Sequence, residues 1–246
     1  MQVNAASFLL PLTIITLAFA CGYALSCARS TSLKKLTPNV RPNVKTDFNT
    51  HINKPDISPE AYIDPQSSLI GNVQICRQVY VGPFASIRGD EGQPIRVEDG
   101  CNIQDGVVLH ALETERDGRI VDRNLYEVNG IKHAVYIGKN VSLAHQCQVH
   151  GPAVVDENTF VGMQSFIFRS KVGKNVVIEP GALIIGVTVG DGRYVPAGKV
   201  ITTPEEADKL HLITGACVIG DINTGVLHVN KQLASGYLHS RESTRL

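Results

Sequence analysis

The chain has 246 residues, of which 43% are hydrophobic and 19% are charged, and its 23 Lys plus Arg are balanced by 23 Asp plus Glu. This composition argues against extensive disorder, and the balanced charge argues against nucleic-acid binding, because no basic field would attract phosphates. Twelve prolines, 22 glycines and the absence of Trp favour many short strands between turns over long helices.

Residues 1–27 are predicted to be a signal peptide or an N-terminal membrane anchor. Residues 5–25 carry no charged side chain and include the apolar run FLLPLTIITLAFA, which is typical of a signal sequence. The same stretch is long enough to cross a bilayer, which takes roughly 20 apolar residues, and Cys21 or Cys27 could accept a lipid. We therefore expect an exported protein, extracellular or on the outer face of the cell membrane. Residues 28–60, with four prolines, are predicted to be a linker or extended lead-in.

From Ile63 the chain repeats every six residues. Successive units read IDPQSS, LIGNVQ, ICRQVY and VGPFAS, and after an interruption the period resumes as IGKNVS, LAHQCQ and VHGPAV. Each unit begins with Ile, Leu or Val, and its fifth residue is usually small or Val. This pattern predicts a parallel β-helix with the leading side chains in a narrow core. Such hexapeptides resemble the left-handed β-helix proteins, with three units per coil, so we predict a mainly β fold with this solenoid over residues 61–203.

Residues 204–246 are predicted to form a helical segment after the solenoid. Thr203 followed by Pro204 and two Glu residues is typical of a helix start. A second helix is expected over residues 222–237, because one stripe there has helical spacing. The stripe comprises Val226, Val229, Asn230, Leu233 and Tyr237. We expect this C-terminal α-helix to cover an open end or a flank of the solenoid.

Three histidines have defined positions in the repeat. His110 and His150 each follow a leading aliphatic residue, so both should point outward, because side chains alternate along a strand. His145 is one position out of phase, and a neighbouring subunit in a closed symmetric assembly could bring it to the other two. Three imidazoles with an open position are the pattern of a catalytic zinc site, although a single outward histidine is usually only a solvated side chain.

Four segments resemble the γ-class carbonic anhydrases, specifically the prototypical subclass with an acidic loop near the metal. They read ASIRGDEG, CNIQDGVVLHALET, AVYIGKNVSLAHQCQVHGPA and DGRYVPAG. The resemblance implies the reversible hydration of CO2 to bicarbonate and a proton by a metal-bound hydroxide. It also implies a homotrimer with metal at the subunit interfaces, held by His110 and His150 of one subunit and His145 of the next. The metal would be Zn2+ or Fe2+, with Co2+ possible.

The resemblance also implies roles for residues around the metal. Gln104 would hydrogen-bond the hydroxide and Asn102 would orient Gln104. Glu91 would contact the bound water or bicarbonate, and Glu113 would shuttle protons to solvent. Arg88 of one subunit and Asp105 of the next would form an ion pair, and Asp90 would lie beside that pair.

Two features depart from the pattern of that subclass. Asn230 is kept on the predicted C-terminal helix, but His228 stands where the prototype has a tyrosine, so its role is open. The loop after Glu113 contains three arginines, whereas the prototype loop is richer in acid. We therefore expect proton export to differ in rate or in its response to pH.

Two other functions are compatible with the same solenoid. A hexapeptide-repeat acyltransferase would use one catalytic histidine and no metal, and fold alone does not exclude it. An assembly protein could have kept the solenoid and lost activity. The joint presence of Arg88, Glu91, Gln104 and Glu113 argues against such a loss, because a scaffold has no physical need for that set.

Overall fold

The structure is a computed structural model that describes residues 38–215, 217 and 219–243, without the side chains of residues 241–243. The predicted leader, residues 1–27, and residues 28–37 lie outside this range, so the signal or anchor stays a prediction. In the described part of the chain, no helix has the length and apolarity that a membrane span requires.

The strands wind into a left-handed parallel β-solenoid of about eight turns with three flat faces. Face 1 consists of Asn39–Arg41, Ser68–Gly71, Ser86–Gly89, Val108–His110, Gln148–His150, Phe166–Phe168, Leu183–Ile185 and Val200–Ile201. Face 2 consists of Asp56–Ile57, Val73–Ile75, Ile95–Val97, Val135–Ile137, Ala153–Val155, Lys171–Val172 and Thr188–Val189. Face 3 consists of Tyr62–Ile63, Tyr80–Val81, Asn102–Ile103, Ser142–Leu143, Phe160–Val161, Val177–Ile178, Arg193–Val195 and the antiparallel His211–Leu212.

The predicted core lies inside the three faces. On face 1, Leu109 lies in register with Ile87 on one side and Val149 on the other, and all three side chains are fully buried. Burying an aliphatic side chain of this size contributes about 1.5–3 kcal/mol, so stacked columns of such residues hold the coils together. Cys101 and Cys147 are buried at corners, as expected of small fifth-position residues.

The solenoid begins earlier than the predicted boundary at residue 61. Asn39–Arg41 already pairs in parallel with the next strand of face 1, and Asp56–Ile57 does so on face 2. Val40 and Ile57 pack against the core. Ile57 lies six residues before Ile63, so the period itself starts one unit earlier. Of the described part of the predicted lead-in, residues 39–41 and 56–57 therefore supply strands to the first coil.

One long excursion interrupts the solenoid between faces 1 and 2. Residues 111–134 leave after His110 and return at Val135–Ile137. The excursion contains the hairpin Glu115–Arg116 with Arg119–Ile120, the 3-10 helix Asp122–Asn124, and the hairpin Tyr126–Val128 with Ile131–His133.

Two helices follow the solenoid. The first, α1, spans Pro204–Asp208 and starts with the predicted cap, in which Thr203 and Glu206 bond reciprocally to each other's backbone. The second, α2, spans Ile222–Ser243 and lies along face 3. Its predicted stripe was partly wrong. Val229 and Leu233 are 54% and 40% exposed, whereas Asn230 and Ala234 are buried.

Candidate active site

Two histidines meet at one edge of face 1. His110 and His150 end neighbouring strands and are directly opposite each other in the register. Both point outward, because Leu109 and Val149 take the inward positions. The His110 Nδ1 lies 3.4 Å from the His150 Nε2. Two nitrogens that are each about 2.1 Å from one tetrahedral ion are roughly 3.4 Å apart, so the pair fits two ligands of one metal.

Two carboxylates lie against His110. The His110 Nε2 is 2.8 Å from the Glu91 Oε1 and 3.6 Å from the Asp90 Oδ1. Contacts with Asp90 and then with Glu91 raise the pKa of His110 to about 9, so without an ion this imidazole is protonated at neutral pH. An imidazole must be deprotonated at the nitrogen that binds a metal, so metal binding at His110 would release a proton.

The protonation states of the neighbouring groups follow from burial and hydrogen bonding. Burial raises the pKa of Glu91, and contacts with His110 offset part of this rise. Burial would also raise the pKa of Asp90, but the contacts with His110 and Glu91 and the hydrogen bonds from Arg88 outweigh it and hold that pKa below its ordinary value. Burial lowers the pKa of His150, which favours the neutral imidazole that a metal requires.

Unsatisfied oxygens mark this edge as a place for a cation. The Asp90 Oδ1 and the Glu91 Oε2 are buried and accept no hydrogen bond from any described residue. Ligand atoms of Asp90, Glu91 and His110 all lie within 4.8 Å of one another. Leaving a buried acceptor unpaired costs about 1–3 kcal/mol, and a divalent cation with its water would remove that cost. This edge therefore offers two groups of candidate ligand atoms: the His110 Nδ1 with the His150 Nε2, which have the spacing of two ligands of one metal, and the carboxylates on the Nε2 side of the His110 ring.

A second polar cluster lies at the opposite edge of face 1, at the corner where the chain arrives from face 3. The Gln104 Nε2 donates to the Asn102 Oδ1 at 2.9 Å, and the Asn102 Nδ2 donates to the Ser142 Oγ at 2.8 Å. All three side chains are buried. The chain of bonds fixes the orientation of the Gln104 amide.

His145 belongs to the second cluster. It lies in the corner turn before Gln148–His150, and its side chain is 54% exposed, with Nδ1 3.8 Å from the Asp105 Oδ2. His145 precedes the strand and His150 ends it, so the two residues lie at opposite edges of face 1, and five residues of extended chain span up to about 17 Å. Within one chain, the structure brings together two of the three predicted metal ligands and separates the third.

Arg88 and Asp105 are separated in the same way. The Arg88 Nη2 lies 3.1 Å from the Asp90 Oδ2, on the edge that carries His110. Asp105 lies on the other edge, beside His145. The predicted pair is therefore not formed within one chain.

Glu113 lies at the start of the excursion, three residues after His110. Its carboxylate pairs with the guanidinium of Arg116. Glu91 and Glu113 line one cavity of about 650 Å³, together with Arg123 and Arg169. One of the loop arginines noted in the sequence thus contacts the predicted proton shuttle directly.

The C-terminal helix α2 carries the last two predicted site residues. Asn230 is buried, and its Nδ2 donates to the backbone carbonyl of Val226 at 2.9 Å. His228 is exposed. Because α2 lies along face 3, Asn230 is on the same side of the solenoid as Gln104 and not near His110.

Two contributors were missed from the sequence. Ser142 orients Asn102, and Thr114 donates its backbone N–H to the Glu91 carbonyl at 3.0 Å. Ser142 could have been found, because it is the sixth residue of its unit, as Asn102 is of its own. Thr114 lies in the irregular excursion, where no period assigns a partner.

Comparisons with known proteins place the chain among its relatives. It is 56% identical over 200 residues to the carbonic anhydrase of Methanosarcina thermophila, which covers 81% of this chain and 81% of that protein. It is 37% identical over 198 residues to the carboxysome assembly protein CcmM of Nostoc, which covers 80% of this chain and 34% of that protein.

Solved structures agree on the fold. A hexapeptide transferase family protein from Anaplasma phagocytophilum superposes with a TM-score of 0.56 at 23% identity, over 75% of this chain and 93% of that one. A scan against family models finds no match.

The long match to the Methanosarcina enzyme, together with paired histidines and a metal-compatible carboxylate edge, shows that the chain belongs to the γ-class carbonic anhydrases.

Proposed function

We propose that this protein hydrates CO2 reversibly to bicarbonate and a proton, at a metal site shared between the subunits of a homotrimer. One observation supports the proposal: each chain carries two groups of candidate site residues at opposite edges of face 1, and these groups would be the two halves of a shared site. One half holds His110 and His150, and the other holds His145 and Gln104. Two different surfaces that must meet define a heterologous interface, and such an interface closes into a ring when the rotation allows.

The three imidazoles would hold Zn2+ or Fe2+, with Co2+ as a further fit, because neutral nitrogen ligands accept all three. When bound, a divalent metal lowers the pKa of a water to about 7, as is known for zinc enzymes of this activity, and so supplies the nucleophile at neutral pH.

Residues beside the three histidines would orient the attacking oxygen and accept a proton. The Gln104 amide, fixed by Asn102, would hydrogen-bond the attacking oxygen on the open side of the site. Glu91 lies against His110 with one unsatisfied oxygen, so it can accept a proton from water or bicarbonate. The raised pKa of Glu91 brings that carboxylate closer to the pH at which protons are exchanged.

Glu113 would carry the proton that each hydration releases. It is partly exposed and lines the cavity that Glu91 also lines. A flexible carboxylate in that position can face the site and then face water. Glu113 is paired with Arg116 in the structure, so it must leave Arg116 to collect a proton.

Arg88 and Asp105 would complete the interface. They lie on the same two edges as the two histidine groups, so an interface that brings His145 to His110 also brings Asp105 near Arg88. A buried pair of this kind is costly to break by removing one partner.

The metal content of variants tests the shared site. Protein purified anaerobically should contain one equivalent of metal per chain by elemental analysis, and His145→Ala should lose most of it although His145 is far from His110 in its own chain. His211→Ala, which removes an exposed histidine on face 3, is the matched control and should keep its metal. Full metal occupancy in His145→Ala would contradict the proposal, and a wild-type protein with neither metal nor CO2 hydration activity would favour acyltransferase chemistry.

Asn102→Ala should lower kcat/KM by about tenfold, because the loss of one buried hydrogen bond is worth roughly 1–1.5 kcal/mol. The cause is a Gln104 amide that is no longer held by its acceptor. Asn102→Asp keeps the acceptor and should lose less. CO2 hydration followed by stopped flow measures both, and equal losses in the two variants would mean that the acceptor is not what matters.

We further propose that the protein is exported and acts outside the cell or on the outer face of its membrane. The uncharged apolar stretch of residues 5–25 supports this. Fractionation of cells that express the full chain tests it.

A further inference from the structure

Residues 43–53, in the predicted lead-in, form a loop that is closed by its own hydrogen bonds; we call it the strap. The strap lies against two segments with candidate site residues: the loop that carries Asp90 and Glu91, and the excursion of residues 111–134. Its base is held by Asn43, whose Nδ2 donates to the His51 carbonyl at 2.8 Å and whose Oδ1 accepts from the Asn53 N–H at 2.7 Å. Asn43 is buried. The strap is therefore a preformed loop.

The tip of the strap contacts the loop that carries Asp90 and Glu91. Asn49 is fully buried, and its Nδ2 donates to the backbone carbonyl of Asp90 at 2.9 Å. Such a bond to the main chain places the acidic loop without touching either carboxylate.

The next residue of the strap contacts the excursion that carries Glu113. The Thr50 Oγ1 donates to the Glu115 Oε1 at 2.7 Å, and the Thr50 N–H donates to the same oxygen at 3.3 Å. Glu115 is buried, although it lies in an otherwise exposed hairpin. A second bond runs from the Asp117 N–H to the Asp47 carbonyl at 3.3 Å.

The strap, the acidic loop and the excursion meet at one point. A Cβ at Gly92, where φ is +111°, would lie 2.8 Å from the Thr114 Oγ1 and 3.9 Å from the Phe48 carbonyl oxygen. Thr114 is fully buried, and its Oγ1 accepts from the Gln93 N–H at 2.7 Å. Glu113 thus precedes two anchored residues, one tied to the acidic loop and one tied to the strap.

We propose that Thr50 is a positioning residue for proton export: by holding Glu115, it fixes the backbone from which Glu113 reaches between the metal site and solvent. The inference rests on the proposed shuttle role of Glu113. Thr50 touches none of the reacting groups. Its Oγ1 also lies 3.3 Å from the His51 Nδ1, which in turn lies 3.7 Å from the Glu115 Oε2, so both contacts of its side chain lead to Glu115.

The effect should fall on one step of the reaction. A proton carrier works over a short distance, so a looser backbone reduces the fraction of time that Glu113 spends within reach of the site. CO2 attack does not depend on that residue. Loss of the Thr50 contact should therefore lower kcat in weak buffer and leave kcat/KM unchanged.

Thr50→Val tests this in the full-length protein, because valine keeps the branched shape and removes the hydroxyl. We expect kcat in weak buffer to fall about fivefold, the factor that corresponds to one hydrogen bond. High concentrations of an imidazole buffer, which carries protons in place of Glu113, should restore kcat. Thr50→Ser keeps the hydroxyl and should resemble the wild type. Glu115→Ala, a second variant in case Thr50→Val folds poorly, removes the acceptor of both Thr50 hydrogen bonds and should show the same rescue by buffer.

The outcomes separate the two proposals. An equal fall in kcat and kcat/KM for Thr50→Val, or no fall in kcat, would overturn the positioning role if Glu113→Ala still shows a loss that buffer restores. If Glu113→Ala loses nothing, the shuttle role fails and the inference fails with it. Hydrogen exchange at the amides of residues 113–117 should be faster in Thr50→Val than in Thr50→Ser, and unchanged exchange would also overturn the inference.

Discussion

Mixing two inactive variants, His110→Ala and His145→Ala, should restore about a quarter of the wild-type activity when the subunits are dissociated and reassembled together. Each variant alone lacks one ligand at every site. In a mixed ring, a site is intact when one subunit supplies His110 and His150 and its neighbour supplies His145. In an equal mixture, half of the subunits keep His110 and the other half keep His145. A site needs one subunit of each kind in the correct order, so random mixing leaves about one site in four intact.

A matched mixture provides the control. His110→Ala and His150→Ala remove ligands from the same half-site, where the two rings lie against each other. Mixing these two variants cannot rebuild a site, so no activity should return. Restoration in both mixtures, or in neither, would contradict a site shared between subunits. Metal analysis of each mixture gives a second readout that does not depend on turnover.

Glu113→Ala should lower kcat about 100-fold in weak buffer, the lower range of what a positioned proton carrier contributes. The variant still has its metal ligands and Gln104, so kcat/KM for CO2 hydration should stay close to the wild-type value. Imidazole buffer at high concentration should restore most of kcat. Stopped-flow assays across a range of buffer concentrations measure both quantities.

Glu127→Ala is the control for Glu113→Ala. Glu127 is an exposed carboxylate in the same excursion, and its removal changes the loop charge by the same amount. It should leave kcat unchanged at every buffer concentration. If both variants lose activity equally, the charge of the loop matters and no specific shuttle is needed. If Glu113→Ala retains full kcat in weak buffer, the shuttle assignment is wrong.

The hexapeptide period determined the core of this protein. A leading aliphatic residue every six positions can be buried only if each flat strand turns at a fixed interval, so Leu109 and Val149 stack although 40 residues separate them. The same period fixed the outward direction of His110 and His150. The capped start of α1 was also readable, because a helix cap depends on a few neighbouring residues.

The six-residue period does not predict contacts in the segments outside the solenoid, which are helix α2 and the excursion. The burial of α2 could not be read from its own apolar residues, since Asn230 faces the solenoid while Val229 and Leu233 face away. The neighbour that a helix packs against decides which stripe is buried. The excursion gave no sign that Thr114 and Glu115 would be anchored, because their partners lie in segments that are distant in sequence.

The sequence by itself determined the solenoid, the residues that point into or out of it, the family that the chain resembles and the candidate metal ligands. All of these follow from a local repeat and local motifs. Only the tertiary structure decided that His145 and His150 lie on opposite edges of face 1 and that the strap ties Asp90 and Glu115 in place. Those relations depend on the width of a face and on contacts between segments that are distant in sequence, and a six-residue repeat predicts neither of them.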